Sequence, residues 1–361
     1  MALAIACLAM IYACKRTEAL NPIEAKNHQK LLNAAVEESG PVEVNSGWLK
    51  FTSLEGFNKV MTDLHDRFEN AQGMDQWESN YSDRGFTSLR KQYEIIDADT
   101  SEYRTAPTVD SLIKTNQLLD CPDSYFATVL NKDGFIQIAD TIYTFKPGKA
   151  KGEAYAVPDR YASDLLKGAE PSSLTGSKMH LTSFLAILFP RWEDTGDVQP
   201  GPGKNPICYY PSGRMLNWWG QIGNDIYSGD NGSTFPQHNG CQVKLNYHRW
   251  RVGYIFYASA GIRLKMWKHT RLAGWLSVTN ATEMIMESCC KGNVFIPGLP
   301  LFPFNEQTSP AWPHFARYET NVFEKTMKWV ATGNNEIILD HFNFHFKVNY
   351  SNRIVERDIR Q

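Results

Sequence analysis

The chain has 361 residues, of which 42% are hydrophobic and 21% charged, and its formal net charge is −2. That length accommodates two ordinary domains and that apolar share builds a sizeable core, which excludes wholesale disorder. The charge balance lacks the basic excess that a dedicated nucleic-acid binder sets against phosphates, so no nucleic-acid partner is expected; nor does any run reach the ~18–20 apolar residues of a membrane-spanning helix.

Residues 1–13 (MALAIACLAMIYA) carry no charged side chain. The run has the length of the apolar part of a secretory signal and is too short to cross a bilayer. It stops at Ala13-Cys14, where a small residue precedes a thiol, and there it resembles a bacterial lipoprotein signal. The expectation is a signal peptide over 1–13, lipid attachment at Cys14, and a mostly polar tether over 14–45 with a short helix near Asn27 to Val36. Cys7 also follows an alanine, but few apolar residues precede it. Lys15 and Arg16 come after the run and no basic residue comes before it, the reverse of the usual charge asymmetry. Secretion without lipidation and a buried N-terminal helix are the competing readings.

Trp48 to Thr52 reads as a strand. Ser53 is placed to cap the helix that follows, with Glu55 in its first turn, and Phe57, Val60, Met61, Leu64 and Phe68 recur at helical spacing. Phe86, Leu89, Tyr93 and Ile96 repeat the pattern, and a third helix is expected over Thr108 to Leu119. Asn131 to Gly134 (NKDG) is a turn signal, followed by short strands at Phe135 to Ala139 and Ile142 to Phe145. Asp159 to Lys167 reads as a helix, and Leu181 to Phe189 is an apolar run of either type.

Pro190 to Pro206 (PRWEDTGDVQPGPGKNP) is rich in Pro and Gly and has no periodicity, which marks a linker at 191–206. Beyond it the chain turns to long, locally alternating segments: Cys241 to Tyr257, Ala260 to His269, Trp275 to Met286 and Glu336 to Asn349. The expected fold class is α+β, with an N-terminal helical and hairpin domain over 46–190 and a mainly antiparallel, β-sandwich-like domain over 207–361.

Three stretches, GWLKFTSLEGFNKVMTDL, GFTSLRKQY and FATVLNKDGFIQIADTIYTF, together with the later YASAGIRLKMWKHTRLAGW, resemble an uncharacterised family of Bacteroidetes cell-envelope lipoproteins. The likeness covers roughly 47–145 and, more weakly, 241–286. It implies an exported, lipid-anchored protein with a helical first half and a strand-rich second half, and it implies no activity.

Catalytic and metal motifs do not converge. Asp194-Thr195-Gly196 has the letters of an aspartic-protease signature, but no apolar strand leads in and no second copy exists, so it reads as a linker turn. His341, Asn343 and His345 share one face of a strand, yet two histidines four residues apart on a strand are ~13 Å apart and cannot ligate one ion. The loop Gly223 to Phe235 holds Asp225, Asp230 and Asn231 without the spacing of a calcium loop. No metal or other cofactor is expected. Of the cysteines beyond the signal, Cys208 and Cys241 are the pair first expected to bridge, while adjacent Cys289 and Cys290 are poorly placed to bridge each other.

The stretch Asn231 to Thr282 holds no Asp or Glu but seven Lys and Arg. Alternation places Arg263, Lys265, Trp267 and His269 on one strand face, a cationic surface with an aromatic that suits an anionic glycan or headgroup; the bland alternative is a solvated outer face. Trp218 and Trp219 are secondary candidates for stacking on a sugar, or else core. The function expected from these residues is that of a non-catalytic, lipid-anchored envelope protein whose β-domain binds a glycan or another envelope component. An envelope hydrolase acting on glycan or peptide, and a purely structural envelope component, are the alternatives.

Overall fold

A computed structural model describes residues 42–361 apart from 68–70, 99–108, 148–152, 176–177, 181–220, 228–242, 271–273, 277–278, 308–314, 334, 352 and 360–361. Val42–Asn45 (β1) and Trp48–Phe51 (β2) pair through the tight turn Ser46-Gly47. Leu54–Arg67 (α1) follows, and Ser53 caps it as its sequence suggested, accepting from the Gly56 amide at 3.0 Å. Phe57, Val60, Met61 and Leu64 of α1 are fully buried, so the apolar stripe is the face laid on the core. Ala71–Ser82 (α2), Leu89–Ala98 (α3), Val109–Lys114 (α4) and Ser124–Val129 (α5) complete the helical region. The helix expected over 108–119 ends early because Asn116 takes a left-handed φ of 57°. Ser88 and Arg90 of the stretch GFTSLRKQY have a structural task. Ser88 accepts from the Lys91 amide at 2.9 Å and donates to buried Glu78 at 2.6 Å. Arg90 grips both oxygens of Glu78, at 3.0 and 2.8 Å, tying α3 to α2.

Phe135–Ile138 (β3) and Thr141–Lys146 (β4) form the hairpin after NKDG, and Glu153–Pro158 (β5) joins them. A single 3-10 turn at Asp159–Tyr161 leads into Ala162–Leu166 (α6), where one helix was expected over 159–167; Pro171–Thr175 (α7) and Lys178–His180 (β6) follow. The first sheet runs β1-β2-β3-β4-β5-β6 and is antiparallel except for β2 beside β3. That parallel pair requires a long crossover, which α1 to α5 supply.

The second half is strand after strand: Gln221–Tyr227 (β7), Val243–Gly253 (β8), Ala258–Thr270 (β9), Gly274–Leu276 (β10), Ala281–Phe295 (β11), Phe302–Gln307 (β12), Phe315–Thr320 (β13), Val322–Val330 (β14), Glu336–Tyr350 (β15) and Arg353–Ile359 (β16). The expected strand 275–286 is two strands, β10 and the start of β11. A second sheet runs β7-β8-β9, with β10 and β14 sharing the far edge of β9, and a third runs β16-β15-β11, with β12 and β13 sharing the far edge of β11. All of these pairings are antiparallel, so the described chain is α+β with mostly antiparallel sheets. Leu245, Ile262 and Leu264 of the second sheet bury against Met286, Phe344 and Phe346 of the third in one apolar cluster.

The expected regions 46–190 and 207–361 do not stand apart: Val42–Gln361 is a single compact unit. The strand expected to run to Tyr257 stops at Gly253, and Tyr254–Tyr257 is instead the turn into β9. Its side chains Tyr254, Phe256 and Tyr257 enter the helical region, where Phe256 meets Phe57 edge-on at 5.1 Å and Phe126 stacks on Tyr257 at 4.8 Å. Burying three aromatics there joins what the change of periodicity suggested were two cores. The expected linker 191–206 lies outside the described residues, as does Leu181 to Phe189.

Candidate functional site

Alternation along β9 sends Ile262, Leu264 and Met266 into the cluster between the second and third sheets, so Arg263, Lys265 and Trp267 point the other way. Arg263 and Lys265 keep only about a fifth to a quarter of their side-chain surface in solvent there. The helical region lies against that face: Lys265 Nζ is 2.9 Å from Asp97 Oδ2 in α3, Arg263 is 3.6 Å from Glu324 in β14, and Trp267 is 6% exposed. Lys265 also sits 4.1 Å above the Trp267 ring. The cationic strand face is therefore an internal joint, with its charges answered by the chain's own carboxylates. The side chain of His269 lies outside the described residues, as do Cys14, Trp218, Trp219, Cys208 and Cys241. Opposite Arg263 in register stands His248, whose pKa is pushed well below its ordinary value by burial and by the neighbouring Arg263 and Lys265 charges.

The same joint gathers a second set of polar groups that sequence spacing could not have assembled. Asp123 caps α5, its Oδ1 accepting from the Tyr125 and Phe126 amides at 2.9 and 3.2 Å. Its Oδ2 accepts from the Tyr257 hydroxyl at 2.6 Å, and Ser259 adds a further hydrogen bond. With that hydroxyl committed to Asp123, the Tyr257 oxygen is left to accept from His65 Nε2–H at 3.0 Å. His65 stacks on Trp329 at 4.6 Å, and burial, helped by Lys325, lowers its pKa to about 3. Glu324 accepts from the Ser124 amide at 3.1 Å and from its hydroxyl at 2.7 Å. Burial raises the pKa of Asp123 and Glu324 despite these donors. Perturbed groups gather at active sites, but also in structural networks. Here each carboxylate is spent on a helix cap, a tyrosine or a serine, and Asp123 is wholly enclosed.

An open concavity lies elsewhere, at the end of the first sheet. It holds about 200 Å³ between the β1–β2 turn, Gly85-Thr87 and the NKDG turn, with Trp48, Phe135 and Leu166 as apolar walls. Trp48 and Phe135 pack at 5.5 Å, and Trp48 Nε1–H donates to Gln137 at 3.3 Å. Asn131 shapes the wall: its Oδ1 accepts from the Asp133 and Phe135 amides at 3.1 and 2.7 Å. Lys132 and Asp133, paired at 3.0 Å and half exposed, stand on the rim. The NKDG signal was readable as a turn; its role as a cleft wall depends on β1 and Gly85 coming from elsewhere in the chain.

Cys289 is disulfide-bonded. Cys121 and Cys290 are free and buried. Among the described residues no cluster of His, Cys, Asp and Glu has the geometry to hold a metal ion. Comparison of the chain with family models, with curated proteins and with solved structures finds no match.

Proposed function

We propose that this chain is an exported cell-envelope protein, held to a membrane by lipid on Cys14, that binds a short glycan rather than transforming it. The disulfide at Cys289 is the observation that carries export, because such bonds persist in oxidising compartments and are rare in the cytosol. The apolar run ending at Cys14 supplies the anchor. The two five-stranded sheets, sharing one apolar cluster, read as the layers of a sandwich that supports the rest. For the ligand, the reading moves from the strand face of Arg263 and Lys265 to the cleft beside Phe135, since the former is occupied by Asp97 and Glu324 and the latter is open. The engagement of His65, Asp123 and Glu324 with the chain's own donors and rings, with Asp123 fully buried, favours binding over hydrolysis, which needs an acid or base free to reach substrate.

Cell fractionation tests the anchor. Parent protein is expected in the membrane fraction and Cys14→Ala in the soluble fraction or as an unprocessed precursor; soluble parent with Met1 intact overturns it. A glycan array tests the ligand. Binding by the parent that falls about tenfold in Phe135→Leu, which keeps an apolar side chain against Trp48, is expected from loss of a stacking ring. A parent that binds no glycan, or a variant that binds equally well, removes the cleft from the reading.

A further inference from the structure

Of the exposed large apolar side chains among the described residues, three gather at one place, the connection between β11 and β12. Leu299, Leu301 and Phe302 are 52%, 43% and 45% exposed. The sequence from Val294 to Phe304 reads VFIPGLPLFPF, without one polar side chain. Val294 and Phe304 at its two ends are buried in the cluster between the sheets, so the apolar run is rooted in the core and its apex projects from it. The apex is stiff. The Leu299 amide donates to the Ile296 carbonyl at 3.0 Å across Pro297 and Gly298, and Gly298 has a φ of 82°. Proline second and a left-handed glycine third are what a type II turn demands. The turn sets Leu299, and Leu301 and Phe302 follow it, all three about half exposed.

The chemistry of this apex selects its occupant. At its base Glu336 stands opposite Phe295, and Arg251 answers it at 3.2 Å; the nearest exposed charge on β11 is Lys291, opposite Asn305 and below the apolar run. β12 is an edge strand, but Pro303 within it has no amide to offer, which blunts the addition of a partner's strand. A convex, uncharged apex without side-chain donors or acceptors has little with which to specify a protein partner, whereas the acyl boundary of a bilayer requires only apolar surface. We propose that the β11–β12 tip inserts into the apolar region of a lipid bilayer and gives the anchored chain a second, orienting membrane contact. The inference rests on the envelope reading for the presence of a bilayer.

Vesicle flotation tests it, using the chain from Lys15 to Gln361, which keeps every described element and lacks the apolar leader and Cys14. Vesicles of phosphatidylcholine alone, and of phosphatidylcholine mixed with phosphatidylglycerol, are compared in low and high salt. The parent is expected to float with both and to be insensitive to salt. The double variant Leu299→Asp, Leu301→Asp is expected to lose flotation by about tenfold or more with its melting temperature unchanged, because it alters exposed positions. The conservative variant Leu301→Ile is expected to float as the parent does. A parent that stays in solution overturns the proposal, as does flotation confined to anionic vesicles and abolished by salt, or flotation that survives the double aspartate substitution. Should the aspartate variant unfold, Leu299→Ser takes its place under the same criteria. Acylation of Cys14 is read separately, by fatty-acid labelling of the full chain in cells, so that failure of the anchor and failure of the tip are distinguishable.

Discussion

His65 shows how a side chain that looks ordinary in sequence becomes a determinant of stability. It faces the rings of Tyr125, Tyr257 and Trp329, the charge of Lys325 and, behind Tyr257, Asp123. Unfolded, the imidazole takes a proton near its ordinary 6.5; folded, only near 3. Between those values the unfolded state binds the extra proton, so stability falls as pH drops through this window. By about pH 5 the deficit from this group is roughly 2 kcal/mol. Asp123 and Glu324 act in the opposite sense. Their folded pKa values are raised, so the contribution of their protonated forms is complete below about pH 4 and is lost as pH rises through the folded values. Urea unfolding of the parent and of His65→Gln between about pH 7 and pH 5 separates the terms. The variant is expected to show the shallower loss on acidification; equal losses would mean that the folded His65 is as free to protonate as the unfolded one.

At the scale of the element, β9 is the strand on which the two halves meet, and its fit is read most directly at Gly261. A Cβ there would lie 2.2 Å from the Trp250 ring and 2.7 Å from the Lys325 carbonyl, in space that the indole and β14 already fill. Gly261→Ala is expected to cost about 1–3 kcal/mol or more, since neither a packed ring nor a paired backbone yields cheaply. Gly253, at the end of β8, has open space where its Cβ would stand, so Gly253→Ala is expected to cost far less. Similar midpoints of chemical unfolding for the two variants would place Trp250 elsewhere. The same strand carries Lys265, and its reversal to glutamate beside Asp97 is expected to lower stability, where an outward-facing lysine would be indifferent.

For the whole molecule, the shared aromatic core of Tyr254, Phe256 and Tyr257 with Phe57 and Phe126 ties the helical region to the sheets. The Pro- and Gly-rich stretch between Trp192 and Asn205 has the composition proteases prefer. Limited proteolysis is expected to nick the chain there and leave two fragments that co-elute on native gel filtration and separate only in denaturant. Fragments that part without denaturant, each folded, would restore two independent domains.

Much of the local structure was legible in the residues. Ser53 and the stripe Phe57 to Leu64 announced α1, NKDG announced its hairpin, and the alternation in 336–349 announced β15, because caps, turns and periodicity act through near neighbours. The parity of β9 was legible too: Arg263, Lys265 and Trp267 do share a face. What that face meets was not, since Asp97 and Glu324 stand 168 and 61 positions from Lys265 and Arg263 in sequence. Nor was the Asp123–Tyr257–His65 network, whose members come from three elements with no common spacing. Local chemistry sets which side chains share a face; only the closing of one layer over another decides whether that face meets water, a ligand or the rest of the chain, because burial is a property of distant segments brought together.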